Sequence, residues 1–309
     1  MSNVDETTFA PNINKDKSII LNFVSMLLVA LFWGLSWPAG RVVALYIQPN
    51  IAAFLRVTIA LPLFFLAAYF IEGNIKIPKE FHKQLFFLGL LQVTLYSTLF
   101  LVGLRYTSGS DASLVIATNP AITAFIASRK YEDEKLTTNK ILGLLVSLGG
   151  VVIVVLFSPN TQVETRYLGN SIILFAAICW AFFTVFSRPI LQKIKPIVFT
   201  AWIMFYGWIF LFIIAIIIGI EIPPLSEVAV IGSLLYMAIF AMVIAYILFN
   251  KSVGKIGPSK TAIFVNLVPI IGVTSSVLIL RENFSLWYIV SLIMIFTGIY
   301  VVNSEKRTN

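Results

Sequence analysis

The sequence has few charged residues and almost none of the residues that redox or metal chemistry requires. Only 12% of its 309 residues are charged, and it contains one cysteine and one histidine. A soluble protein carries about a quarter charged residues, so this composition excludes an ordinary soluble domain. The single thiol, Cys179, excludes an internal disulfide.

Motifs for ATP hydrolysis and for intramembrane catalysis are also missing. The segment GKIGPSK (254–260) lacks the spacing of a phosphate-binding loop, and the apolar segments contain no HExxH motif and no pair of aspartates. We therefore expect neither an enzyme nor a bound cofactor or metal.

Acidic residues are absent from the interior of the apolar segments. They fall in predicted loops or near predicted helix ends, and Asp111 lies nearest to a span interior. Because proton-driven carriers commonly use a carboxylate inside the membrane, we expect facilitated diffusion rather than strict proton coupling. The same lack of charge favours a neutral or zwitterionic substrate over a phosphate ester.

Apolar residues, in contrast, make up 59% of the sequence. They form ten runs, each long enough to cross about 30 Å of hydrocarbon as a helix. The sequence predicts an all-α polytopic membrane protein with ten transmembrane helices. Their predicted bounds are 19–47, 50–71, 83–106, 109–129, 138–157, 168–191, 196–219, 227–250, 258–280 and 285–303.

Lysine and arginine predict the orientation of these helices. Seventeen of the 22 Lys and Arg residues fall on the side that also holds both termini, and five fall on the other side. Positive residues concentrate in cytoplasmic loops. We therefore expect a multi-pass protein of the cell membrane whose tails, 1–18 and 304–309, are cytoplasmic. This topology accounts for the net charge of +8 without a nucleic-acid partner.

The chain also contains an internal repeat. ALFWGLSWPAGR aligns with AICWAFFTVFSR, which pairs Trp33 with Trp180, and Pro120 recurs 149 residues later as Pro269. A unit of five helices, an odd number, enters the membrane in opposite orientations when it is repeated. Such a 5+5 inverted repeat is typical of secondary transporters, which bind substrate near the bilayer midplane.

Each of the two prolines lies near the middle of a predicted span. Proline has no N–H group, so the carbonyls of Ile116 and Val265 lose their helical partners. In a membrane, such groups are tolerated where they face protein or a wet cavity. We expect Pro120 and Pro269 to bend two helices beside a shared central site. The alternative is that they only shape helix packing.

The first half resembles the signature of the EamA-type permeases of the drug/metabolite transporter superfamily. The resemblance rests on GLRYTSGSDASLVIATNPAITAFIA, EDEKLT and LGLLVSLGGVVIVV, and on IAAFLRVTIA in helix 2. It covers two copies, residues 19–157 and 168–303. In each copy the glycine usual before the glutamate of the loop motif is replaced, by Asp133 and by Arg281, which we expect to alter a turn.

The resemblance implies a transporter of amino acids, sugars or other metabolites. Its central cavity would be lined mainly by helices 1, 3, 4, 6, 8 and 9. We expect an exporter that moves a small neutral or zwitterionic metabolite, an amino acid first of all, by alternating access. Uptake or exchange of sugars or other metabolites stays open as an alternative, as does a membrane receptor or enzyme that transports nothing.

Aromatic and polar side chains inside the spans are the candidate substrate ligands. Trp33 and Trp37 share a helix face, and aromatic rings can stack on a substrate or bind a cation. The alternatives are interfacial anchoring for the tryptophans and interhelical hydrogen bonding for the other polar groups. The predicted substrate-binding residues are Trp33, Trp37, Gln92, Tyr96, Asn119, Trp180, Thr184, Tyr246, Asn250 and Asn266.

The remaining features predict packing rather than binding. Arg41, Arg56 and Arg105 are expected near helix ends, with their charged groups reaching the interface, and Arg41 recurs as Arg188. Small residues in GLLVSLGG predict close contact between helices. The expected partners are a small-molecule substrate and the lipid bilayer, and the protein is expected to be a monomer or a weak homodimer.

Overall fold

The computed structural model describes residues 13–132, 137–158, 165–220, 226–256 and 264–303, and these form ten helical segments. In chain order the segments are α1 (Ile13–Tyr46), α2 (Pro49–Glu72), α3 (Lys79–Tyr106), α4 (Gly109–Lys130), α5 (Thr138–Phe157), α6 (Arg166–Leu191), α7 (Pro196–Ile218), α8 (228–256), α9 (Leu267–Leu280) and α10 (Leu286–Asn303).

The all-helical architecture is confirmed. Within the described residues, α1 to α8 are long and apolar enough to cross a membrane, and α9 and α10 are shorter apolar helices. The predicted bounds of α5 match the structure, and Pro49 and Pro196 begin α2 and α7. A proline fits a first helical turn because the N–H groups there have no helical partner. Residues 258–263, predicted to begin helix 9, lie outside the described residues.

The two halves share an unusual backbone feature. A π-helical segment interrupts α3 at Leu90–Tyr96, and another interrupts α8 at Ile239–Ile244. They begin 149 residues apart, which is also the separation of Pro120 and Pro269. Helical segments of this kind are rare and often occur at functional sites. No pattern in the sequence predicted these π-helical segments. They give the third helix of each repeat the same irregular backbone.

The structure corrects the predicted bend at Pro120. The α4 segment does not curve through the proline, because it ends at Ile116 and restarts at Asn119 after a two-residue turn. Pro120 therefore lies in the first turn of the second piece, where its missing N–H costs little. Pro269 lies in the first turn of α9, after a turn at Asn266.

Small residues allow α5 and α10 to pack closely, which confirms that prediction. Gly143 and Ser147 of α5 lie directly against Gly298 of α10, and a side chain at Gly298 would collide with both. Gly150 faces the backbone carbonyl of Ser291 in the same way. α5 and α10 are the last helices of the two repeats, and their close packing joins the repeats at the side of the bundle.

The turn before α10 keeps the shape that a glycine would favour. Arg281 has φ 55° and ψ 36°, a left-handed conformation, which costs a side-chain-bearing residue about 1–2 kcal/mol. The expected altered turn is therefore not seen at this position, whereas Asp133 lies outside the described residues. Glu282 follows and accepts hydrogen bonds from the amides of Gly109 (2.8 Å) and Ser110 (2.9 Å). This turn thereby caps the first turn of α4.

Candidate functional site

A cavity of about 210 Å³ lies between the two repeats. This volume suits a small metabolite, since pockets for drug-sized ligands are larger, at about 300–1,000 Å³. Side chains from every helix except α5 line it. The predicted site residues that it brings together are Trp33, Trp37, Gln92, Tyr96, Asn119, Pro120, Trp180, Tyr246, Asn266 and Pro269.

Two repeat-related tryptophans contribute to the aromatic wall of the cavity. The Trp33 ring meets the Tyr246 ring edge-on at 5.6 Å between centroids, and the Trp180 ring meets Tyr96 at 4.9 Å. The indole N–H of Trp33 donates to the carbonyl of Ala241 at 2.9 Å, inside the π-helical segment of α8. The altered backbone of α8 thus helps to fix the ring of Trp33.

Trp37 lies deeper than Trp33, with 4% of its surface exposed. Its ring packs against Phe100 at 5.1 Å, and it lies so close to Gly272 that a side chain there would strike it. Its buried indole N–H has no hydrogen-bond partner among the described residues. Interfacial anchoring does not fit a tryptophan in this position.

Asn119 lines the cavity but its amide already has protein partners. The side-chain nitrogen donates to the carbonyl of Ala177 at 2.9 Å, and the side-chain oxygen accepts from Thr123 at 3.1 Å. Asn119 therefore ties α4 to α6 rather than serving the carbonyl of Ile116. Ile116, like Val265 in the second repeat, lines the cavity.

The structure does not bring Thr184 and Asn250 to the cavity. The hydroxyl of Thr184 donates to the carbonyl of Trp180 at 2.9 Å, and the residue is exposed, one turn beyond the cavity wall. The side-chain nitrogen of Asn250 is buried without a partner among the described residues. Helix periodicity put both residues on the correct helices, one turn from the lining positions Trp180 and Tyr246.

The prediction that Arg56 reaches the membrane interface is wrong. This arginine is 7% exposed and lines the cavity, so it does not reach the membrane interface, and charge is present in the middle of the bundle. It lies seven residues after Pro49, or about 10 Å from the start of α2 at 1.5 Å per residue. That depth was the signal that could have identified it. Met204 of α7 and Phe296 of α10 extend the lining beyond the implied helices.

Arg41 has a different role from Arg56. Its guanidinium donates to the carbonyls of Leu104 and Arg105 (2.7 Å to Arg105) at the end of α3. A cation at the carboxyl end of a helix satisfies free carbonyls and the helix dipole. Arg41 therefore joins α1 to α3 outside the cavity.

Asp111 forms a buried polar cluster outside the cavity. It lies in the first turn of α4, as expected, but it is fully buried. One carboxylate oxygen accepts hydrogen bonds from Ser158 and Tyr288, both at 2.7 Å, and the other accepts a longer one from Asn170 at 3.5 Å. These contacts join α4, α6, α10 and the end of α5.

The duplication seen in the backbone has a counterpart in a family model. The model of the EamA-like transporter family matches the chain twice, at residues 21–156 and again at 167–304. The chain belongs to the EamA-like transporter family. It is therefore a multi-pass membrane transporter and not an enzyme.

EamA-like relatives extend over most of the chain. The transporter YyaM of Bacillus subtilis, described as uncharacterized, is 26% identical over 295 residues, which are 93% of this chain and 95% of the relative. An uncharacterized transporter of Archaeoglobus fulgidus is 26% identical over 92% of this chain and 99% of its own length. A WAT1-related protein of Arabidopsis thaliana is 27% identical over 78% of this chain and 71% of its own length.

A solved structure supports the arrangement of the EamA-like fold. A crystal structure with 16% sequence identity superposes with a TM-score of 0.65 and covers 91% of this chain and 98% of that chain. At this identity the similarity concerns the fold. It agrees with two five-helix repeats packed around a central cavity.

Proposed function

We propose that this transporter exports a small zwitterionic metabolite, an amino acid, by alternating access through the central cavity. The observation that supports the proposal is the position of the cavity between the two repeats. Repeat-related residues from both halves, Trp33 with Trp180 and Pro120 with Pro269, line the same space. In inverted-repeat transporters, substrate binds at this junction while one half rocks against the other.

The lining of the cavity fits a molecule with both polar and apolar parts. Amide and phenol groups of Gln92, Tyr96 and Tyr246 provide hydrogen-bonding groups, and the indole rings provide apolar surface. Aromatic faces also attract an ammonium group. An amino acid carries such an ammonium group and a sugar does not, so the lining favours an amino acid over a sugar.

The proposed orientation places both tails in the cytoplasm of the cell that carries the protein in its membrane. It rests on the excess of lysine and arginine in the loops on that side. Export from the cytoplasm is the direction that we propose, and no pH gradient is required for exchange.

Substrate counterflow tests this function. The purified protein is reconstituted into liposomes loaded with one unlabelled amino acid, and uptake of the labelled amino acid is followed at equal internal and external pH. Transient accumulation that depends on the internal substrate supports the proposal. Protein-free liposomes are the control, and a parallel panel of sugars tests the alternative. Accumulation of sugars alone would contradict the amino-acid assignment.

A further inference from the structure

Arg56 is the only charged residue among the described residues that line the cavity. It projects from α2, which is not among the helices that the family resemblance implied as the main lining. Its guanidinium donates one hydrogen bond to a described residue, from Nη2 to Ser97 Oγ at 2.9 Å. The Nε atom is buried without a partner, and the Phe100 ring lies 5.8 Å from the guanidinium carbon.

This environment leaves a permanent charge uncompensated. Arginine stays protonated in proteins, and an unpaired buried cation is costly. Among the described residues that line the cavity there is no aspartate or glutamate. Inside a membrane protein, a buried ionisable residue usually faces a substrate pathway and pairs with another group there. The missing counter-charge is therefore expected to arrive with a ligand.

The shape of the guanidinium and the walls around it restrict that ligand. Its planar set of N–H donors matches the two oxygens of a carboxylate. A phosphate ester would bring two charges to a cavity with one cation. Beyond Arg56 the lining is largely apolar, with Trp33, Trp180 and Met204 among its members. These surfaces suit an apolar body attached to a single carboxylate.

We propose that Arg56 binds the carboxylate of the transported substrate, and that the substrate class is organic monocarboxylates with an apolar body. An α-ammonium group is accepted but not required, because the lining residues that the structure describes include no carboxylate to pair with it. This inference rests on the proposed transport function and widens the proposed substrate class. The group that the site recognises is the anion, and an amino acid is one member of a wider class.

Four compounds that share one phenyl body test the assignment. Phenylpropionate and phenylalanine carry the carboxylate, whereas phenylpropanol and phenethylamine lack it. Binding to the purified protein is measured by calorimetry, and exchange is measured by counterflow in liposomes. Because a charge-assisted hydrogen bond is about twice as strong as a neutral one, both acids should bind at least about tenfold more tightly than the alcohol and the amine.

Arg56→Gln should remove that preference, so that acid and alcohol bind equally weakly. Arg56→Lys keeps the charge but loses the planar donor set, and it should retain part of the preference. Arg166→Gln is the matched control, because Arg166 is also a buried arginine, 6% exposed, but does not line the cavity. It should leave the preference for acids unchanged.

The outcomes separate the Arg56 assignment from the transport function. Acid binding without counterflow contradicts transport and leaves the carboxylate site in place. Counterflow of the alcohol or the amine at the rate of the acids leaves transport in place and overturns the carboxylate site. If Arg56→Gln fails to fold, the wild-type comparison decides: acids that bind no more tightly than the alcohol, or that do not bind saturably, overturn the proposal.

Discussion

The two repeats have the same backbone plan and different side chains at the cavity. Both contain a π-helical segment in their third helix and a helix break just before a proline. The π-helical segment of the first repeat places Gln92 and Tyr96 at the cavity. The corresponding positions 149 residues later hold Ala241 and Ala245. The second repeat thus supplies the same geometry with fewer polar groups.

The charge of the cavity is distributed just as unequally. Aligning Pro49 with Pro196, which begin α2 and α7, places Ile203 at the position that corresponds to Arg56. The backbone is therefore duplicated in the two repeats, whereas the polar and charged side chains at the cavity are not. Both halves shape the cavity, while the first half carries most of the polar groups that line it.

The prediction with the largest expected effect concerns the inverted orientation of the two repeats, and cysteine labelling from each side of the membrane tests it. Single cysteines at Thr138, at the start of α5, and at Asn283, before α10, occupy closely matching places in the two repeats. In a background with Cys179→Ala, an impermeant maleimide should label Asn283→Cys from outside intact cells and Thr138→Cys only after the cells are opened. Labelling of both positions from one side would contradict the inverted relation.

A second prediction sharpens the difference in recognition. Gln92→Leu keeps much of the side-chain volume but removes its hydrogen-bonding groups. Losing one hydrogen bond of about 1 kcal/mol should lower counterflow at subsaturating substrate about fivefold. Ala241, the counterpart of Gln92, has no polar group to remove, so the comparison change is at its neighbour Met242, which also lines the cavity. Met242→Leu should change the rate less than twofold. Equal losses in the two variants would show that recognition is shared evenly.

Much of this architecture could be predicted from the sequence. Hydrophobic run length predicted ten helices and bounded α5 to the residue, and the recurrence of Trp33 as Trp180 and of Pro120 as Pro269 predicted the repeat. Helix periodicity also placed Trp33, Trp37 and Trp180 at the cavity. These signals work because each depends on local composition or on spacing along the sequence.

The features that the sequence did not reveal depend on contacts between helices. The residues around Leu90 and Ile239 form no sequence pattern that distinguishes a π-helical segment from an α-helix. The depth of Arg56 in α2 could be counted from Pro49, but the surroundings of its guanidinium depend on Ser97 and Phe100, which belong to a different helix. Thr184 was misplaced for a similar reason, since a shared face does not fix how far along the helix the cavity extends.

A third prediction concerns the shared geometry. Pro120→Ala and Pro269→Ala each restore a backbone N–H next to a helix break, which allows a more continuous helix. We expect each variant to lose about threefold in transport rate, by similar amounts in the two halves, because both breaks adjoin the cavity. Thermal stability should change little, because each proline lies in the first turn of a helix, where its missing N–H costs little. Counterflow and thermal unfolding are measured side by side.

The double proline variant provides the decisive control for that prediction. Normal transport in the double variant would reduce both prolines to packing features. A loss confined to one proline would show that the two halves do not move equivalently, even though their backbones match.

The smallest effect on transport is expected at another buried charge, Asp111. Unlike Arg56, its carboxylate already has protein partners, the hydroxyls of Ser158 and Tyr288 at 2.7 Å each. Asp111→Asn keeps an acceptor for these hydroxyls but turns an amide N–H₂ toward the N–H₂ of Asn170. The lost contact is worth about 1 kcal/mol, which lowers the unfolding temperature by about 2–4 °C in a chain of about 150–250 residues and by less in a longer one. For this chain of 309 residues we therefore expect a fall of about 2 °C.

Transport by Asp111→Asn should stay within twofold of wild type when the pH is equal on both sides of the membrane. Asp111 lies outside the cavity lining, so it acts on helix packing and not on the substrate. Tyr288→Phe removes one of its hydrogen-bond donors and should reproduce the loss of stability without a loss of rate. The contrary result would be a wild-type protein that accumulates substrate under a pH gradient and an Asp111→Asn protein that only exchanges it. That result would make Asp111 a proton-coupling group and would leave substrate binding to Arg56.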